Sequence, residues 1–387
     1  MTVNLATTDE VELIDESEED DSTLVPVSDT SLSYFGADFD VAGLVRRLNE
    51  GDIFVPQYDP DNSDGSTIDG FQRPHVWPVK KMESFIESLL LGWPVPSIFL
   101  VLDADQRYLV LDGQQRINTL SYFYSGQYPD GKSFELKDVA ENLKGATYGS
   151  LAPDARRKLD NTFIQATVIE PKGPNGADSV YRLFGRLNSG GMTLTSQEIR
   201  VALYRGDATD LIRELNHDEN WRKLFGAPHK RLKDHELILR VLAMLEVIQK
   251  ISGDWGETEK TLTAYRPPLS DFLNSYLTRH KKMTPSEMDL LRGAFAESCR
   301  SLVIAMNTDG LRFSGSINAA HVDALLSALL ANAIQGNRVT SGQIKTMVTR
   351  LRQNLEYQTY VTKSTSHRDS VIGRLRLSSL TLALAQE

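Results

Sequence analysis

A single cysteine, Cys299, in 387 residues leaves no partner for an internal disulfide and no thiolate cage for zinc. Zinc fingers, iron–sulfur centres and disulfide-stapled scaffolds are thereby excluded. Long apolar runs are missing too. The best of them, Phe85 to Val101, is interrupted by Glu87, Gly92, Pro94 and Pro96, well short of the roughly 20 continuous apolar residues of a membrane span. No basic start followed by an apolar stretch is legible at the N-terminus, so a cytoplasmic location without membrane contact is the expectation. Basic residues are absent from positions 1–30, which carry the acids Asp9, Glu10, Glu12, Asp15, Glu16, Glu18, Glu19, Asp20, Asp21 and Asp29. A one-signed stretch with few aromatics repels itself and buries little, which predicts a disordered tail over 1–30. Such a tail serves solubility or competes with nucleic acid for a basic groove. The net charge of −10 is concentrated there, so the rest of the chain is close to neutral and a DNA partner is not excluded.

What remains is ample for two cores, with 41% hydrophobic and 24% charged residues, near the averages of folded chains. Val41, Leu44, Val45 and Leu48 recur at helical spacing and run into Gly51, and Ile53-Phe54-Val55 reads as a strand. Asp59 to Gly70 has loop composition. A second helix starts at Val79, with Met82, Ile86, Leu89 and Leu90 on one face, and Gly92 with Pro94 closes it. Two β-rich runs, Ser97 to Leu102 and Tyr108 to Leu111, flank a polar link and predict a hairpin. The second run passes straight into Asp112-Gly113-Gln114-Gln115-Arg116, after which Ile117, Leu120 and Tyr124 suggest a helix. Phe163 to Ile169 is a further strand. Beyond it, Val180–Leu187, Leu237–Ile248, Leu290–Met306, Val322–Ala333 and Ile344–Leu355 all show helical periodicity.

A strand that turns through Asp-Gly into a helix gathers unpaired backbone N–H groups where the helix dipole also favours an anion, so phosphate is the natural guest. Gly113 permits close approach of the backbone, and Arg116 offers a planar fork for two phosphate oxygens. Gln114 and Gln115 could donate to oxygens or orient a water. Asp112 has three possible roles: holding Mg²⁺, orienting Arg116, or capping the helix. On its own the pentapeptide is also compatible with a plain turn.

Two further blocks give it context. Phe71-Gln72-Arg73-Pro74-His75-Val76-Trp77 precedes the Val79 helix, and Phe184 to Leu194 reads Phe-x-x-Leu-Asn-x-x-Gly-x-x-Leu. In the order Gln-Arg-Pro-x-x-Trp, helix, Gly-Trp-Pro-Val-Pro, hairpin, Asp-Gly-Gln-Gln-Arg, the stretch 50–205 resembles the N-terminal domain of GmrSD-type restriction endonucleases, the DUF262 family, itself similar to the ParB and sulfiredoxin superfamily. The resemblance implies an α+β fold over 31–205, a small mixed sheet with helices, followed by a mainly α-helical domain over 206–387. It also implies binding, and hydrolysis, of a nucleoside triphosphate with Mg²⁺ in a bacterial anti-phage or restriction system that acts on or senses DNA. Gln72 and Arg73 would then face the phosphates from one side, Asp112 to Arg116 from the other, with Asn188 completing the pocket. The long polar stretch between Pro56 and Phe71 departs from the family, and the lack of a cysteine near the loop argues against sulfiredoxin chemistry.

Six of the histidines are scattered through helical pattern without the framework of a His-Asn-His nuclease, so cutting would need a partner, a nuclease or another defence protein, or an unrecognised site in the helical half. Pro129-Asp130 with Glu135-Leu136-Lys137 is too tightly spaced for a metal-dependent nuclease and reads as loop. Lys230-Arg231-Leu232-Lys233 is either a DNA-backbone contact or a solvated helix start. Arg374 and Arg376 likewise read as a solvated face or a contact to phosphate or a partner. Thr195 to Glu198 is a capping box, and Trp77 and Trp93, each beside a proline, read as packing anchors rather than stacking platforms. Self-association is possible. The alternative to a triphosphatase is a DNA-binding or protein-interaction module that holds a phosphate without hydrolysing it.

Overall fold

The structure is a computed structural model that describes residues 13–14, 32–55, 77–103, 106–173, 176–187, 195–229 and 231–386. The described residues form two compact units, one of residues 27–194 and one of residues 195–387 joined by the strand β1 (Leu13–Ile14). The fold is α+β with a helical C-terminal region, as expected.

The first unit is built on a five-stranded mixed sheet of β2 (Leu32–Asp40), β3 (Ile53–Phe54), β4 (Ile98–Leu102), β5 (Tyr108–Asp112) and β6 (Phe163–Pro171), in the order β2-β6-β4-β5-β3. The hairpin β4–β5 is antiparallel, and β4 runs parallel to β6. Helix α1 (Val41–Glu50) starts where Asp40 accepts the backbone N–H of Gly43 at 2.7 Å, and it stops at Gly51, which is left-handed at φ 80°. Helix α2 (Val79–Leu91) ends the same way at Gly92. Both, together with α3 (Gln114–Ser125), turn their periodic apolar faces onto the sheet, where Leu44, Ile86, Leu89, Ile98, Leu100, Val110, Ile117 and Leu120 form one core. Helix α4 (Pro153–Asp160) closes that layer, and α5 (Gly176–Leu187) packs on β6 and β2 with Val180 and Phe184 buried.

One buried acid explains the long connection after α3. Glu83 of α2 accepts hydrogen bonds from the Tyr128 hydroxyl at 2.8 Å and from the backbone N–H groups of Lys137 and Asp138 at 3.1 and 2.7 Å. This pins 128–138 as a structured loop, in which Asp130 pairs with Lys132 at 2.6 Å. Burial and the neighbouring Glu83 carboxylate together push the Tyr128 hydroxyl pKa up.

The second unit is a helical assembly. It runs through α6 (Ser196–Leu203), α7 (Asp207–Asn216), α8 (Glu219–Phe225), α9 (Lys233–Ile251), α10 (Glu259–Ala264), α11 (Leu269–Arg279), α12 (Pro285–Met306), α13 (Ala319–Ile334), α14 (Ser341–Gln353), α15 (Leu355–Thr362) and α16 (Arg368–Gln386). The nearly all-round burial of α9 and α13 makes them its centre. Strands β7 (Arg312–Phe313) and β8 (Ser316–Asn318) pair with each other, and β1 adds to β8 in parallel. Leu13 and Ile14 are therefore strand rather than disordered tail; an average over an acidic stretch passes over one apolar dipeptide. The units divide between Leu194 and Thr195, not at 205. The reason is local: the Thr195–Glu198 capping box opens α6, whose Arg200 is buried in the helical unit and donates to Asn274 of α11 at 3.0 Å.

Two histidines sit in this unit's interior. Desolvation lowers the pKa of His235 to about 4 and that of His321 to about 3, against 6.5 for a solvated imidazole. Above pH 6.5 both are neutral whether folded or unfolded, so they contribute nothing to pH dependence. As pH falls below 6.5 the unfolded chain takes up protons that the fold refuses, and each site costs roughly 1.4 kcal/mol per pH unit until its folded pKa is reached. The melting temperature is expected to fall from pH 6.5 to 4.5, and His235→Gln to flatten that fall; equal slopes for variant and parent would show that His235 does not drive it.

A candidate phosphate site at the end of strand β5

The turn from β5 into α3 is as tight as the sequence suggests. Asp112 is the last residue of the strand, Gly113 takes φ 97°, and Gln114 begins a 12-residue helix with no side chain capping its first turn. The pairing of β4 with β5 also slips between Phe99 and Leu100, which sets Asp112 opposite Phe99. Only glycine suits position 113. Its φ lies in the left-handed region, and a Cβ there would run into the side chain of Ile98. Glycine at the cap position offers no side chain to the first-turn N–H groups of this helix N-terminus, an arrangement that suits an anion.

Arg116 is held over this turn. Its Nη2 donates to Asp112 Oδ2 at 2.6 Å and to the carbonyl of Ser97 at 3.0 Å, so of the three roles open to Asp112 the structure displays that of orienting Arg116. Asp112 keeps half of its side chain exposed (52%), whereas the arginine is largely enclosed (13%). The two glutamines part company. Gln114 is buried and its amide leans back toward the Val110 carbonyl at 3.5 Å, while Gln115 accepts the backbone N–H of Trp77 at 3.4 Å. Trp77 packs edge-on against Phe85 and beneath Lys81, which is the anchoring role expected of it. Gln72, Arg73 and Asn188 lie outside the described residues. Sequence reasoning missed two members of the site, the Ser97 carbonyl and the Trp77 N–H, because backbone groups leave no mark in residue identity.

Other expected residues are placed elsewhere. Lys230 lies outside the described residues, Arg231 pairs with Glu198 at 3.5 Å, and Lys233 is half-buried in the first turn of α9. Arg374 is a correction. It is fully buried and clamps Asp323 from two nitrogens, at 2.9 and 3.0 Å, instead of standing on a solvated face or reaching for phosphate. Its neighbours Val371 and Leu375 are apolar, and one arginine within such a pattern reads as surface unless its acidic partner, 51 residues away, is known. A cleft of about 790 Å³ opens in the helical unit beside Glu246, Lys250, Arg266, Asp271 and Arg279, but Glu246 is already saturated by Arg279 and His280, each at 2.5 Å.

The sheet and its flanking helices form a small α+β domain with the β5–α3 turn at one strand end. Residues 59–205 match the family model of the GmrSD restriction endonuclease, N-terminal domain. The match covers a little over a third of the chain. No curated protein and no solved structure matches the chain. Among the described residues, no helix is long and apolar enough to cross a membrane.

Proposed function

We propose that the α+β unit binds a nucleoside triphosphate at the β5–α3 turn and hydrolyses it, as part of a restriction or anti-phage system that acts on or senses DNA. The observation that carries this reading is the preorganised Arg116, fixed by Asp112 and the Ser97 carbonyl above a helix N-terminus whose cap residue, Gly113, has no side chain. In phosphoryl transfer, positioning and electrostatics do most of the work, and both are offered here by elements of one hairpin. The backbone of Gly113 to Gln115 would cradle phosphate oxygens, and Arg116 would neutralise their charge. Trp77, four residues beyond Arg73 in the chain, is hydrogen-bonded to Gln115, which supports a pocket closed by the Gln72-Arg73 block. Gln115, less buried than Gln114, is the better placed to orient an attacking water.

The acid present fits Mg²⁺ in the manner usual for this ion, one carboxylate plus substrate phosphates. Asp112 Oδ2 is committed to Arg116, but the residue is half exposed and its other oxygen can face an incoming ion. Bound there, Mg²⁺ would offset phosphate charge. The described residues contain no group of three metal-ligating side chains, so a dedicated protein cage is not part of this reading.

Phosphate release from a panel of nucleotides with Mg²⁺ tests it. The intact protein is expected to release phosphate and Arg116→Ala to lose tenfold or more of that activity, the equivalent of a charge-assisted hydrogen bond of about 1.5–3 kcal/mol. Thermal stabilisation by nucleotide without release would leave a binding module only. Neither stabilisation nor release would remove the site.

A further inference from the structure

Trp93 does not behave as the anchor its flanking prolines suggest. Its side chain is 61% exposed, whereas Trp77 of the same segment is packed. The indole nevertheless stands on a rigid support. Gly92 closes α2 at φ 81°, its N–H and that of Trp93 are bonded to the carbonyls of Leu89 and Ser88 at 3.0 and 2.8 Å, and Pro94 fixes the chain beyond. Beside this turn lies α4, which carries Arg156, Arg157 and Lys158 in succession. A Cβ built on Gly92 would stand 3.4 Å from Lys158 Nζ, so the ammonium lies against the turn that presents the indole. Arg156 is used internally, over the Tyr148 ring and on the Gly149 carbonyl, and Arg157 is paired with Asp154. Lys158 is exposed and has no carboxylate within ion-pair distance among the described residues. Phe163, at the exit of the same helix, is 65% exposed.

We infer that Trp93 and Lys158 form a docking surface for single-stranded nucleic acid, with a base stacked on the indole and a neighbouring phosphate against the ammonium. Aromatic faces presented beside free cations are what sequence-tolerant single-strand binding needs, since every base has a π-face and every nucleotide a charge. A protein interface would also take the tryptophan but is depleted in lysine, so it is the unpaired ammonium of Lys158 that favours a nucleic-acid phosphate. Duplex DNA buries its base faces in the stack and cannot use Trp93. The surface involves α2, α4 and the turn between α2 and β4, none of the residues assigned to the phosphate site, and its test is separate from that of nucleotide hydrolysis.

Anisotropy of a short labelled oligothymidylate and of a duplex of equal length reads it directly on the full chain. Trp93→Ala is expected to weaken binding of the single strand about tenfold, Trp93→Phe to keep most of it, and neither to change duplex binding. Lys158→Glu is expected to weaken single-strand binding and to flatten its dependence on salt. Both side chains are exposed, and unchanged melting curves would verify that the variants fold. A Trp93→Ala variant with full affinity for the oligothymidylate, equal losses on duplex and single strand, or no binding by the parent protein would overturn the inference. So would an acidic peptide that binds with the same dependence on both residues where the oligothymidylate does not. Trp93→Ala is expected to retain the nucleotide-induced thermal shift, so failure here and failure of the phosphate site remain distinguishable.

Discussion

Asp323→Asn is expected to destabilise the helical unit by about 3–5 kcal/mol, the cost of breaking a buried ion pair by removing one partner. The carboxylate lies between two guanidinium groups, and all three side chains are fully buried. Arg240 donates to Oδ2 from Nε at 3.1 Å and from Nη2 at 2.9 Å, and Arg374 donates to both oxygens. Asparagine keeps the shape but replaces an accepting oxygen by an amide NH2 that points donors at a guanidinium. Two cations then share an interior with no countercharge at that position. For a unit of this size, each kcal/mol shifts the melting temperature by roughly 2–4 °C, so a drop of about 6–20 °C is expected in calorimetry. Asp289→Asn is the matched control: its partner Arg292 and Asp289 itself are exposed, and the change should stay within about 0.5 kcal/mol. Replacing Arg240, Asp323 and Arg374 together by Met, Leu and Met should recover much of the loss, because the desolvation of three charges disappears along with their attraction. A single Asp323→Asn variant that melts with the parent would show that the network contributes nothing.

The same network marks the limit of what the sequence discloses. Elements with strong periodicity and clear punctuation are legible: Val79–Leu91 with its closing Gly92, the hairpin β4–β5, and the passage from Asp112 through Gly113 into α3 are all where pattern and turn chemistry place them. These depend on local rules, in which a few neighbouring residues decide the conformation. Arg374 and Trp93 depend on something else. An arginine is a surface residue until a distant aspartate meets it, and a tryptophan beside prolines is a core residue until the fold turns it outward. Burial is a property of the assembled chain, and 51 residues separate Arg374 from Asp323. The candidate site is intermediate. Its side chains and its glycine could be read from the order of three sequence blocks, but the hydrogen bonds that make Arg116 rigid come from the Ser97 carbonyl and from the pairing with Asp112, which require the hairpin's register.

That register gives Gly113 the second large effect. At Gly51 a left-handed glycine has open space around its missing side chain, so Gly51→Ala should cost only the conformational penalty of about 1–2 kcal/mol. Gly113 has the same kind of φ but faces the side chain of Ile98, with Arg116 Nη2 3.2 Å from the position of its Cβ. Gly113→Ala therefore adds overpacking of about 1–3 kcal/mol to the backbone penalty. The crowding is directional, because Ile98 is fixed in the core and cannot yield. What can move is the start of α3 and the guanidinium, away from Asp112 and the Ser97 carbonyl. Gly113→Ala is expected to lower the stability of the α+β unit by about 2–5 kcal/mol and to reduce any nucleotide-induced thermal shift more than Gly51→Ala does. Urea unfolding of the two variants side by side decides the matter. Equal losses would mean that the turn relaxes around the added methyl and that Arg116 is not held as tightly as its two hydrogen bonds indicate.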